Sequence, residues 1–141
     1  MNKEARDAAH AIASRCLAVR VRRLGRLVTR IYDAALAPHG ISIAQMNLLA
    51  AIGFIGEARP GDLIEALDME KSTLSRDLKR MQQLGWVQAR PARAGRGHTL
   101  SLTTAGARLL VAILPAWREA QAKARAELGR APFAKLRELL G

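Results

Sequence analysis

A single cysteine in 141 residues, Cys16, excludes an internal disulfide framework. The three histidines, His10, His39 and His98, have no carboxylate or thiol companions at ligand spacing, so the chain carries no metal-site signature. Phosphate-binding loops and paired-carboxylate motifs are missing, and Ser, His and Asp occur in no recognisable arrangement, which argues against an enzyme and implies no cofactor. Long apolar runs are missing too. The longest stretch free of Lys, Arg, Asp and Glu lies between Asp33 and Glu57. It contains Pro38, His39, Gly40, Ser42, Gln45 and Asn47, too many breakers and polar groups for a bilayer span, and reads as two helix pieces and a turn. The N-terminal MNKEARDAAH is charged where a secretory signal is apolar. The expectation is a cytoplasmic protein that engages no membrane.

Acid is scarce relative to base: 12 Asp plus Glu face 23 Lys plus Arg, a formal net charge of +11. The surplus is localised. Residues 71–96 hold Lys71, Arg76, Lys79, Arg80, Arg90, Arg93 and Arg96 against Asp77 alone, directly after an acidic stretch at 57–70. That polarity suits a polyanion-binding face. With 50% hydrophobic residues in a chain of this length, one soluble domain around one core is expected.

The apolar periodicity sets the expected elements. From residue 12 to about 37, Leu17, Val21, Leu24, Val28, Ile31 and Ala35 recur at spacings of 3 and 4, predicting one long amphipathic helix with Arg15, Arg22, Arg26 and Arg30 on its other side. A second helix from about Ser42, its N-cap, to Gly56 is almost wholly apolar (Ile43, Met46, Leu48, Leu49, Ile52, Phe54, Ile55) and is expected at the centre of the core. Pro60 opens a helix of about two turns that ends near 68–70. In the segment that follows, EKSTLSRDLKRMQQLGW, Leu74, Leu78, Met81 and Leu84 form the buried face and Gly85 the stop, so Ser72, Thr73, Ser75, Arg76, Lys79 and Arg80 point outward. Two short helices joined by a tight turn, the second bearing hydroxyls and then bases, form a helix-turn-helix pattern.

The period then changes to two. Residues 86–90 and 99–103 read as paired strands around a basic loop at 91–98, a wing beside the recognition helix. Gly95 and Gly97 lie inside this hairpin and open no helix, so they serve the turn and are no nucleotide fingerprint. Thr103 or Thr104 caps a final long helix to about Leu128, with an apolar seam of Leu110, Ile113, Trp117, Ala120, Ala124 and Leu128 and a kink expected at Pro115. After Gly129 a short helix carries Phe133, Leu136 and Leu140. The termini hold more apolar stripe than one small core covers, which points to a dimer. The fold class is therefore mainly α with a small β-hairpin wing.

These motifs resemble the MarR family of winged helix-turn-helix transcriptional regulators. EKSTLSRDLKRMQQLGWVQARP resembles the family's recognition helix and its exit, LSLTTAG resembles the junction after the wing, and the long helices before and after match the family order over nearly the whole chain. The resemblance implies a homodimer with interlocking terminal helices (10–38 and 104–141) and a DNA-binding lobe at 42–103, with recognition helix about 71–85 and wing about 86–103. It implies a palindromic double-stranded DNA operator, and a repressor released by a small aromatic carboxylate, a phenol or an oxidant. Ser72, Thr73, Ser75, Arg76 and Lys79 would face the major groove or its phosphates, and Arg96 the minor groove. Many members have an acid just before that wing arginine. This chain has Gly95, and Arg93 is the alternative.

Arg reads guanine O6 and N7 bidentately, which assigns sequence reading to Arg76 and phosphate contacts to Lys79 and Arg80, with Lys71, Arg90, Arg93 and Arg96 completing the basic surface. The alternative for Arg76 is a surface ion pair with Asp77 or Asp62. For an effector, Arg15, Arg20, Arg22, His39 and Gln45 are the candidates. Cys16 is a candidate redox sensor beside Arg15 and Arg20, against a plain role as a small buried hydrophobe. Rival readings are a sequence-indifferent architectural nucleic-acid binder and a peripheral membrane protein using the Arg-rich first helix.

Overall fold

Local capping chemistry sets most element borders. In the computed structural model, which describes residues 2–140, the order is α1 (Lys3–Arg15), α2 (Leu17–Leu36), a 3-10 turn (Ala37–His39), α3 (Ile43–Ile55), α4 (Pro60–Leu67), α5 (Lys71–Gln83), β1 (Val87–Pro91), β2 (His98–Leu102), α6 (Thr104–Leu128) and α7 (Arg130–Leu140). Ser42 and Gln45 form a reciprocal capping box on α3, the Gln45 amide donating to Ser42 Oγ (3.2 Å) and the Ser42 amide to Gln45 Oε1 (3.1 Å). Asp33 accepts from the Ile43 amide at 2.8 Å, tying the end of α2 to the start of α3. No single helix among the described residues is long and apolar enough to cross a membrane.

α2 lies along α6, and α3 sits between this pair and the α4, α5 and hairpin unit. Leu36, Leu48, Leu49, Ile52, Leu63, Leu74, Met81 and Ile113 are fully buried, so one core runs through both parts. Tyr32 donates its hydroxyl to Gln121 on α6, and burial pushes the phenol above its usual range, against the opposing pull of Arg125. Arg125 also stacks over Phe133 at 4.5 Å, which holds α7 against α6.

Four expectations need correction. The first helix is interrupted: Cys16 adopts extended angles (φ −63°, ψ 112°) between α1 and α2. The Ser14 hydroxyl bonds back to the His10 carbonyl at 2.7 Å, a contact that bends helices, and the Arg20 guanidinium donates to the Ser14 carbonyl at 2.8 Å. On α3, Phe54 is 94% exposed and Ile55 39% exposed, because the face carrying Leu48, Leu49 and Ile52 leaves Phe54 on the opposite side. Leu84 lies beyond the last turn of α5 and is exposed. The strands run one residue later at β1 and one earlier at β2 than the alternation suggests, since Pro91 still pairs with His98, and the wing loop shrinks to 92–97.

The end of α5 and the start of α6 are joined by one compact junction. Gly85, at φ +75°, lets the Trp86 amide bond to the Met81 carbonyl (3.0 Å) and its own amide to Gln82 (3.0 Å), closing α5 in a Schellman motif. Thr103 caps α6 by accepting from the Gly106 amide (3.0 Å), while its hydroxyl donates to the Gly85 carbonyl and its amide to the Trp86 carbonyl (3.0 Å). Gly106 is buried directly against the Trp86 backbone, where a Cβ would overlap the carbonyl oxygen. Helix propensity alone favours alanine at such a site. We expect Gly106→Ala instead to destabilise the fold by about 1–3 kcal/mol, as overpacking does. Chemical denaturation measures it, and a neutral or stabilising result would contradict this contact.

Candidate nucleic-acid interface

The acidic turn between α4 and α5 sets the angle of the two helices. Asp68 takes a left-handed conformation (φ 49°), which Asp tolerates, and the Met69 amide closes on the Ile64 carbonyl at 3.2 Å. With Leu74, Leu78 and Met81 buried, α5 exposes Lys71, Ser72, Ser75, Arg76, Lys79 and Arg80, while Thr73 is only half exposed. Among the described residues, ion pairs join Arg93 to Glu57 and Lys135 to Glu138. The alternative pairing of Arg76 with Asp77 or Asp62 is absent, so its guanidinium presents its donors to solvent.

The hairpin folds back beside this helix. Val87 pairs with Leu102 and Pro91 with His98, and the Ala92 amide closes the loop on the Gly97 carbonyl at 3.0 Å. Gly95 and Gly97 take positive φ (81° and 96°), as the turn requires. Arg90, Arg93 and Arg96 are all exposed. Arg93 stands 3.7 Å from Glu57, a surface pair of small energetic worth that still occupies this guanidinium. A cleft of about 400 Å³ between α5 and the hairpin is lined by Ser75, Lys79, Gln82 and His98 together with Pro60.

Gln82, His98 and Arg59 are additions to the expected surface. Gln82 follows Ser75 and Lys79 at helical spacing and was legible as their neighbour; His98 reaches them only through strand pairing. Arg59 gives no sequence signal at all, yet its guanidinium donates to the Ala94 carbonyl in the wing at 2.7 Å.

The effector candidates do not converge. Arg15, Arg22 and His39 are exposed, Arg20 is engaged with Ser14, and the Gln45 side-chain oxygen is taken up by the capping box. An apolar cavity of about 190 Å³ between α3 and α6 is lined instead by Met46, Ala50, Leu110, Ile113, Leu114 and Trp117. Cys16 is half-buried at the helix break and forms no disulfide, so it sits at a junction and not within a continuous apolar stripe.

The model of the MarR family matches residues 39–97, from the turn after α2 through the wing. Over that stretch the chain is similar to the MarR family. It is 28% identical over 90 residues to the uncharacterized HTH-type transcriptional regulator YwoH of Bacillus subtilis (strain 168), a match spanning 64% of this chain and 66% of that protein. A mutant MarR from E. coli complexed with operator DNA superposes with a TM-score of 0.82 at 23% identity, over 92% of this chain and 94% of that one. BpsR of Bordetella bronchiseptica, whose DNA binding is regulated by 6-hydroxynicotinic acid, superposes with a TM-score of 0.78 at 19% identity, over 90% and 93%. The mostly helical winged-helix architecture is thus the MarR fold, with the β1–β2 hairpin as its wing.

Proposed function

We propose that this chain is a MarR-family, homodimeric, sequence-specific double-stranded DNA-binding transcriptional repressor, released by a small aromatic carboxylate or phenolic ligand. The observation that carries the DNA reading is the unpaired basic face of α5 flanked by wing arginines. A helix of this width fits the major groove, where Arg76 reads a guanine edge, Ser72, Thr73 and Ser75 bond base edges or phosphates, and Lys71, Lys79, Arg80 and Arg90 hold the backbone. The wing carries Arg96 toward the minor groove.

Dimerisation is assigned to 10–38 and 104–141 and DNA binding to 42–103. The support is the apolar surface left on the terminal helices: Leu17 is 72% exposed, Val21 58%, Val111 74%, Leu139 66% and Leu140 80%. Large aliphatic side chains left in water on the terminal helices suit an interface. A two-fold dimer places its recognition helices on the order of 10 base pairs apart, hence a palindromic operator. The apolar cavity between α3 and α6 suits the ring of an effector, and the ligand-regulated BpsR fold supports that class. In this reading Arg15, Arg20, Arg22, His39 and Gln45 are candidates for the carboxylate only where a partner subunit brings them to the ring.

Sedimentation is expected to give a dimer; a stable monomer contradicts the scheme. In fluorescence anisotropy on the intergenic DNA beside its own gene, a preference of about 10³ over a scrambled duplex is expected. Affinity should fall about 10³ to 10⁵ between 50 and 200 mM salt if roughly 6 to 10 phosphates are neutralised. Equal binding to both duplexes would favour the architectural reading instead.

On that operator, Arg76→Ala should cost about 1–3 kcal/mol and relax sequence preference. Lys79→Ala should weaken all duplexes alike and lower the salt slope by about 1. Unchanged preference in Arg76→Ala would remove Arg76 as the reading residue.

A further inference from the structure

The segment Glu57 to Arg59, outside both the recognition helix and the hairpin, grips the wing at two points. Ala58 is fully buried and forms an isolated antiparallel bridge with Leu100, its amide donating to the Leu100 carbonyl (2.9 Å) and the Leu100 amide to its own (2.8 Å). The Arg59 amide is bound by the Asp62 carboxylate at 2.7 Å. The backbone on either side of the Arg59 side chain is therefore held against β2 and α4. Alternation along this short extended stretch puts Ala58 in the core and leaves Glu57 and Arg59 free to reach the loop. Glu57 meets Arg93 at 3.7 Å, and the Arg59 Nη2 donates to the Ala94 carbonyl at 2.7 Å.

The wing loop needs such a hold. Residues 92–97 contain two glycines at positive φ and are closed by the Ala92 to Gly97 backbone bond, so the tip has much conformational entropy to lose. Gly95 lies beside the guanidinium, since a Cβ built there would stand 3.8 Å from Arg59 Nη2. With Arg93 paired to Glu57, Arg96 is the exposed arginine of the 92–97 loop that has no acidic partner among the described residues.

The geometry points to Arg59 as a positioning residue: by fastening the Ala94 carbonyl it orders the wing tip and presents Arg96 to DNA, in place of an acid at position 95. This rests on the DNA-binding reading above. Arg59 acts through the loop and not as one more phosphate contact, so its effect belongs to Arg96. A tip already ordered loses less freedom on binding, and one ordered side chain is worth a change in affinity of roughly two- to tenfold.

Two measurements test it. In the DNA-free full-length protein, ¹⁵N relaxation of the Gly95 and Gly97 amides should show order in the wild type and a fall to about 0.6 or below in the order parameter of Arg59→Ala. Unchanged amide order would overturn the proposal, whether or not any operator has been found. On the operator, Arg59→Ala should lose roughly two- to tenfold in affinity in the wild-type background and almost nothing in the Arg96→Ala background, a coupled pair in a double-mutant cycle. Equal losses in both backgrounds, with a lower salt slope, would make Arg59 a direct phosphate contact and overturn the positioning role. If the wild type shows no specific binding, the DNA-binding reading itself fails, and the relaxation data still decide whether Arg59 orders the wing.

Discussion

Helix α5, the hairpin and the long helix α6 all meet at the contact between Gly106 and the Trp86 backbone. Because no side chain separates them, the start of α6 is pressed against the residue that leaves α5 and enters β1. Thr103 adds three bonds to that contact, its hydroxyl reaching back to Gly85 while it caps α6. A change in the direction of α6 therefore has no soft element in which to dissipate before it reaches α5. Under the proposed function, with dimer contacts on α6 and DNA contacts on α5, this stiffness would be the physical link between the two.

The distribution of polar and apolar surface follows the same division. In the lobe most apolar side chains are consumed by one core, Phe54 being the main exception, and the exposed face of α5 is basic; on the terminal helices, large aliphatic side chains remain in water. They stay in water because α2 and α6 already spend their facing stripes on each other. The wing loop at 92–97 has little internal support beyond its Ala92 to Gly97 bond. Its order depends on the Glu57–Arg59 segment, which is remote from it in sequence and adjacent through the bridge of Ala58 to Leu100.

Much of this was legible in the residues. The periodicity of Leu74, Leu78 and Met81 placed the basic face of α5 correctly, and Ser42, Pro60, Gly85 and Thr103 marked borders because caps and breakers act within a few residues. The misreadings share a cause. Phe54 and Leu84 are apolar, but burial depends on which direction a helix faces once packed, and Cys16 breaks a helix whose composition favours continuity. The effector candidates do not converge within one chain, and the cavity between α3 and α6 is lined by other side chains.

By itself, then, the sequence determined the element order, the capped borders, the basic face of α5 and the surplus of apolar stripe at the termini, because each arises from interactions within a few residues or from composition. Only the tertiary structure decided that Arg59 holds the wing, that Arg93 is paired and Arg96 is not, and that position 106 must lack a side chain. Those facts depend on residues tens of positions apart approaching to bonding distance, and such approach is set by packing of the whole core.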